Sequence, residues 1–154
     1  MVILGIDPGT TRIGFGVIDN TKNKLSCIRY GILKQPSPAG VMSELGQLIQ
    51  NYKPDVAAVE KLFFFKNKKT IISVSEMRGI IMATLASHNV PTREFTPLQV
   101  KQAVSSYGRA NKDQVERMVR LILNLKEAVK PDDAADGLAI AICCVNNIVY
   151  PNNQ

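Results

Sequence analysis

Residues 2–19 read "VILGIDPGTTRIGFGVID". The stretch is apolar up to Asp7 and stops at Pro8-Gly9, the pattern of a buried strand cut off by a turn. A polar turn follows, and "IGFGVID" alternates enough to form a second strand. Residues 24–35, "KLSCIRYGILKQ", read as a third. Three strands joined by short turns predict an antiparallel meander.

Downstream, the pattern changes. In "SPAGVMSELGQLIQNY", residues 37–52, Val41, Leu45, Leu48 and Ile49 recur at helical spacing. "DVAAVE", residues 55–60, is a short buried strand that ends at Glu60. A helix between two strands implies a crossover and parallel pairing. Residues 70–89 read as a long helix and "VPTREF" as a fifth strand. Thr96 followed by Pro97 is a helix-start signal. Residues 111–125 place Val115, Met118, Val119, Ile122 and Leu125 on one helical side, and a last helix starts at "DDAADGLAIAICCV". The predicted order is β-β-β-α-β-α-β-α-α-α, an α/β fold with a mixed five-stranded sheet flanked by helices. At 154 residues the chain fits a single domain, 1–154.

Composition narrows the class. The apolar fraction is 45%, enough for a core. The longest stretch free of charged or polar side chains, "GLAIAICCV", is too short to cross a bilayer, so no membrane partner is expected. The N-terminus has no basic segment ahead of its apolar run, and no signal peptide is expected. Three cysteines, Cys27, Cys143 and Cys144, form no disulfide framework and no zinc motif, which places the chain in the reducing cytoplasm. The net charge is +6, with one cluster at Lys61, Lys66, Lys68 and Lys69 and another from Arg93 to Arg120. Such a balance fits a polyanionic partner, and equally fits solubility alone.

The acids carry the chemistry. Two buried strands end in Asp7 and Glu60. If the strands are parallel neighbours, about 4.8 Å apart with ends in step, both carboxylates reach one ion. For either acid alone, turning toward water at a strand exit is the commoner role. Asp133 and Asp136 are three apart at a helix start and share a face. Acids there usually cap the first turn, and Asp132 is assigned that role alone. Asp136 differs because an apolar run follows it directly, so its helix must lie on the sheet. Four carboxylates at two strand ends and one helix start suit magnesium, a hard ion that takes oxygen ligands and keeps several waters. The single histidine, His88, has no spacing for a metal site or a nucleophilic triad and is read as a surface or helix-end residue.

With these residues in hand, "GIDPGTTRIGFGVI", "VEKLFFFKN", "VKQAV", "NKDQVERMVRLIL" and "DAADGLAIAI" resemble, in order and spacing, the RuvC family of Holliday-junction resolvases. The likeness runs from Met1 to about Val145, and the family's fold is ribonuclease H-like. The resemblance implies that Asp7, Glu60, Asp133 and Asp136 are the catalytic, metal-binding acids. Two magnesium ions would sit in each site, with manganese as a substitute. It further implies that Phe63 engages bases at the junction centre and that Lys101 and Lys112 contact phosphates. The few residues after Val149 are shorter than the tail of many family members.

These implications give the aromatic triplet a role. Phe63, Phe64 and Phe65 follow the strand that ends at Glu60, so they belong to a loop over the acids. Aromatic rings stack on unpaired bases for about 1–3 kcal/mol each, and Lys66, Lys68 and Lys69 beside them suit phosphates. Phe63 is expected to insert and Phe65 to anchor the loop.

The expected substrate is four-way junction DNA, cut by paired nicks that leave 5′-phosphate and 3′-hydroxyl ends. A two-fold junction calls for a C2 homodimer. The long helix is apolar over a wide arc, and Ile71, Val74, Met77, Gly79 and Ile81 are the candidate interface. The family also leaves room for the RuvA–RuvB branch-migration complex as a partner.

Three other readings stand beside this one. "GIDPGTT" resembles the first phosphate loop of sugar kinases and Hsp70-type ATPases, which need two facing domains. A non-cleaving junction-binding module would keep the fold without the chemistry, and a YqgF-type nuclease of the same fold would act on RNA. The intact acidic quartet and the order of motifs favour the resolvase.

Overall fold

The computed structural model describes residues 1–22, 24–34, 37–62, 68–106 and 108–148, with the backbone alone at 68–70. The elements run β1 (Val2–Asp7), β2 (Ile13–Thr21), β3 (Lys24–Leu33), α1 (Pro38–Tyr52), β4 (Val56–Glu60), α2 (Lys68–Ser87), β5 (Thr92–Phe95), α3 (Pro97–Ser105), α4 (Lys112–Ile122) and α5 (Asp132–Asn146). This is the order expected from the sequence. The sheet order is β3-β2-β1-β4-β5. β1, β2 and β3 pair antiparallel, whereas β4 pairs parallel with β1 and with β5.

Side chains alternate across a strand, and both faces of this sheet are covered. On β1, Leu4 and Ile6 join the core beneath α1 and α2, while Ile3 joins the core shared with α3, α4 and α5. On β4, Ala57 and Val59 take the first side, Val56 and Ala58 the second. Continuing the period, Asp7 and Glu60 fall on the face that α5 covers.

Helix α5 is buried through most of its length, and Leu138, Ile140 and Ile142 are fully enclosed. Burying each such side chain contributes about 1.5–3 kcal/mol. A helix apolar on nearly all sides belongs inside a layer, with neighbours above and below. It lies on β1 and β2 at Gly5, Gly14 and Gly16. A Cβ at Gly14 would overlap the carbonyl of Asp133, and one at Gly137 would run into the backbone of Phe15. Only hydrogen side chains allow this approach.

Two helices start on capping boxes. Thr96 with Gln99 caps α3, and Asn111 with Gln114 caps α4, each pair satisfying two backbone N–H groups. The expected cap at α5 is corrected: its N-cap is Pro131, with no side-chain cap bond, and Asp132 is exposed at the first helical position.

The assignment of α2 is also corrected in part. Val74, Met77 and Ile81 are 6%, 8% and 0% exposed, turned into their own chain's core. Met77 and Ile81 pack into the core shared with α1 and the sheet, and Val74 lines the acidic cleft, so none of the three forms an outer surface. Gly79 is exposed, Ile71 half-buried, and Ile72 is 60% exposed on the outer arc. No helix among the described residues is long and apolar enough to cross a membrane.

Candidate active site

Asp7 and Glu60 leave adjacent parallel strands in step. Ile6 pairs with Val59 in the ladder, so each acid is the next residue on its strand. Glu60 in turn pairs with Phe95 of β5, and the Lys61 N–H donates to the Phe95 carbonyl at 2.7 Å, which fixes the strand end. Asp7 pairs with Gly14 across the antiparallel ladder, and the Asp133 carbonyl rests on Gly14. Close packing at one glycine therefore carries the first turn of α5 to the end of β1. Asp133 and Asp136 then share a cleft of about 850 Å³ with Asp7 and Glu60.

Crowding the acids makes ionisation costly. Burial, then Glu60, Asp136 and Asp133, push Asp7 up to about 8, while Lys112 opposes the rise. Burial and Asp136 push Glu60 up to about 7, against Lys101 and Lys112. Asp136 is raised by burial and held down by Lys112. Desolvation and like charges both favour the proton-bound form. The same surroundings favour any cation that can replace the protons.

Cations ring the acids. Lys112 Nζ lies 3.5 Å from Asp136 Oδ2, and Arg12 Nη1 lies 3.9 Å from Asp133 Oδ2. Lys101, on α3, lines the same cleft and acts on Glu60. Among the described residues, no three acid, histidine or cysteine side chains converge closely enough, as they stand, to hold a metal ion. The donor set nonetheless fits magnesium: four carboxylates face one open cleft with room for the waters this ion retains.

The structure thus unites Asp7, Glu60, Asp133, Asp136, Lys101 and Lys112. Phe63, Lys66 and the rest of the aromatic triplet lie outside the described residues, as do the side chains of Lys68 and Lys69. Arg12, which the sequence did not single out, and Lys61, seen there only as part of a basic cluster, also line the cleft. Arg12 lies in the turn after Asp7, and Lys61 directly after Glu60.

The model of the family described as "Crossover junction endodeoxyribonuclease RuvC" matches residues 3–144. The chain belongs to the RuvC family. RuvC of Petrotoga mobilis is 49% identical over 150 residues, covering 93% of this chain and 92% of that one. RuvC of Syntrophomonas wolfei is 46% identical, covering 93% and 87%. Among solved structures, Thermus thermophilus RuvC in complex with a Holliday junction substrate superposes with a TM-score of 0.86 at 33% identity, covering 93% of this chain and 92% of that one. The fold is ribonuclease H-like, and the chain is a nuclease of the RuvC family, whose members are metal-dependent.

Proposed function

We propose that this RuvC family member resolves Holliday junctions by paired symmetric nicks, as a single nuclease domain over residues 1–154, in recombination and repair. The observation that carries the reading is the meeting of Asp7, Glu60, Asp133 and Asp136 in one cleft flanked by Lys101 and Lys112. An acidic quartet is a costly arrangement with no use in a module that only binds.

Asp7, at the centre of the four, would hold two magnesium ions jointly with Glu60, Asp133 and Asp136; manganese prefers the same oxygen donors. When bound, the ions supply Lewis acidity for water attack at phosphorus and for departure of the 3′ oxygen. The chain does the rest. Glu60 is fixed by the β5 ladder and Asp133 by its seat on Gly14, so the donors are positioned beforehand. Lys101 and Lys112 bind phosphates of the cut strand through charge-assisted hydrogen bonds. Products carry 5′-phosphate and 3′-hydroxyl ends.

Phe63 would enter the junction centre with Phe65 anchoring the loop, and Lys66, Lys68 and Lys69 would hold nearby phosphates. A Phe63→Ala protein that cuts junctions normally while Phe65→Ala fails would reverse that assignment. Two matched nicks require two sites, which a C2 homodimer supplies. The outer arc of α2, with Ile72, Gly79 and Ile71, is the surface available for it. The protein would work in the cytoplasm, and the RuvA–RuvB complex is the branch-migration partner this role calls for.

The test compares cleavage of a labelled mobile four-way junction, a linear duplex of the same sequence and a structured RNA, each with magnesium. Paired nicks in the junction alone are expected. Cutting of RNA alone would move the chain to the RNA-acting reading.

A further inference from the structure

We infer that Arg12 is a third phosphate-holding cation of this site, contacting the backbone of the cut strand on the side of the acids away from α3; the inference rests on the junction cleavage proposed above. Arg12 sits in the turn between Asp7 and Gly14, and its side chain is 60% exposed within the same cleft. The turn is tight: Gly9 lies so close beneath the Arg12 carbonyl that a Cβ there would overlap it. The base of the side chain is therefore fixed while its head reaches into the open cleft.

Among the described residues its ion pair is with Asp133, one nitrogen at 3.9 Å. That is too long for a hydrogen bond. Most of the five N–H donors of the guanidinium remain for a ligand, and their planar fork matches phosphate. An arginine serving only to neutralise Asp133 would gain by lying close and covered, and Arg12 does neither.

Three of the four cations that line the cleft each stand by a different acid. Lys101 acts on Glu60, Lys112 pairs with Asp136, and Arg12 stands by Asp133. In the sheet order, the β1–β2 turn flanks Asp7 on one side while β4, β5 and then α3 follow on the other. A strand laid over the acids thus meets positive charge on both sides of the cut. This arrangement holds the phosphates that flank the reacting one and keeps the strand from sliding.

The experiment measures junction affinity of the wild type, Arg12→Ala and Arg12→Lys over a series of salt concentrations, in chelator so that nothing is cut. Thermal melting and magnesium affinity are followed in parallel. One lost phosphate contact reduces the slope of log K against log salt by about 0.9. Arg12→Ala should show that reduction with roughly tenfold weaker binding and unchanged melting. Arg12→Lys should restore the slope and only part of the affinity. An unchanged slope with tighter magnesium binding would make Arg12 a counter-ion of Asp133 alone and overturn the inference. Failure of the wild type to bind the junction would overturn the proposed function, and this inference with it.

Discussion

Lys112 Nζ lies 3.5 Å from Asp136 Oδ2 at the mouth of the acidic cleft. The lysine side chain is 68% exposed, so the pair adds at most about 1 kcal/mol to stability. Its larger effect is on its neighbours. Lys112 lowers Asp7, Glu60 and Asp136 together, and Asp136 in turn raises Lys112. One cation eases ionisation of three acids.

Lys112→Ala should therefore raise the titration of all three carboxyls in metal-free protein, read by carbon-detected NMR of labelled side chains. Cleavage should fall about 10–100-fold through the lost phosphate contact, and its pH dependence should move upward. Lys112→Arg should keep the titrations nearly in place. Unmoved carboxyls in Lys112→Ala would contradict the shared role.

Asp7 at about 8 and Glu60 at about 7 stand above the ordinary carboxyl values of 3.8 and 4.5. In this window the folded chain holds more protons than the unfolded one. The stabilisation is complete below the ordinary values and is lost as pH rises through about 7 to 8. In chelator, melting temperature should fall between pH 5 and 8.5. Magnesium should restore it most at the alkaline end, where protons compete least for the ligands. Asp7→Asn should flatten the profile and melt higher than wild type at pH 8.5.

Gly14 pairs with Asp7 and seats the Asp133 carbonyl. Gly14→Ala forces α5 off the sheet at the site itself. Overpacking of this kind costs about 1–3 kcal/mol, visible in denaturant unfolding. Cleavage should drop by roughly 100-fold, since a 1 Å displacement of reacting groups has that order of effect. Normal turnover in Gly14→Ala would show that the helix seat does not place the acids.

For the dimer, Ile72 and Met77 separate surface from core. Ile72, 60% exposed, should respond to Ile72→Glu with loss of association in sedimentation and little change in melting. Met77, 8% exposed, should lose about 2–5 kcal/mol in Met77→Ala and still associate. A wild type that sediments as a monomer at micromolar concentration would count against the dimer.

The element order, sheet class and acidic quartet were legible because local signals agreed. Pro8-Gly9 ends β1, Thr96-Pro97 opens α3, and "VILGID" and "DVAAVE" are short apolar runs with a terminal acid. What stayed hidden depends on packing across distant segments. Nothing local distinguishes Val74, Met77 and Ile81 from Ile72, because α2 is apolar on more than one side and only the sheet decides which side is inner. Asp132 looked like a cap, yet the helix begins on Pro131. Arg12 gained meaning only when Gly14 brought Asp133 beside it.

One cleft of four acids is proposed to cut junction DNA with a divalent metal. The most direct measurement follows binding and cleavage of a labelled four-way junction by wild type and Asp7→Asn, with magnesium, manganese or chelator. The wild type should make paired symmetric nicks with either metal and none in chelator, and Asp7→Asn should lose more than about 100-fold, since even changes around the ligands of metal sites cost about 10–100-fold. Junction binding by Asp7→Asn should persist. Cleavage undiminished in Asp7→Asn, or a wild type that binds the junction and leaves it uncut with both metals, would contradict this proposal.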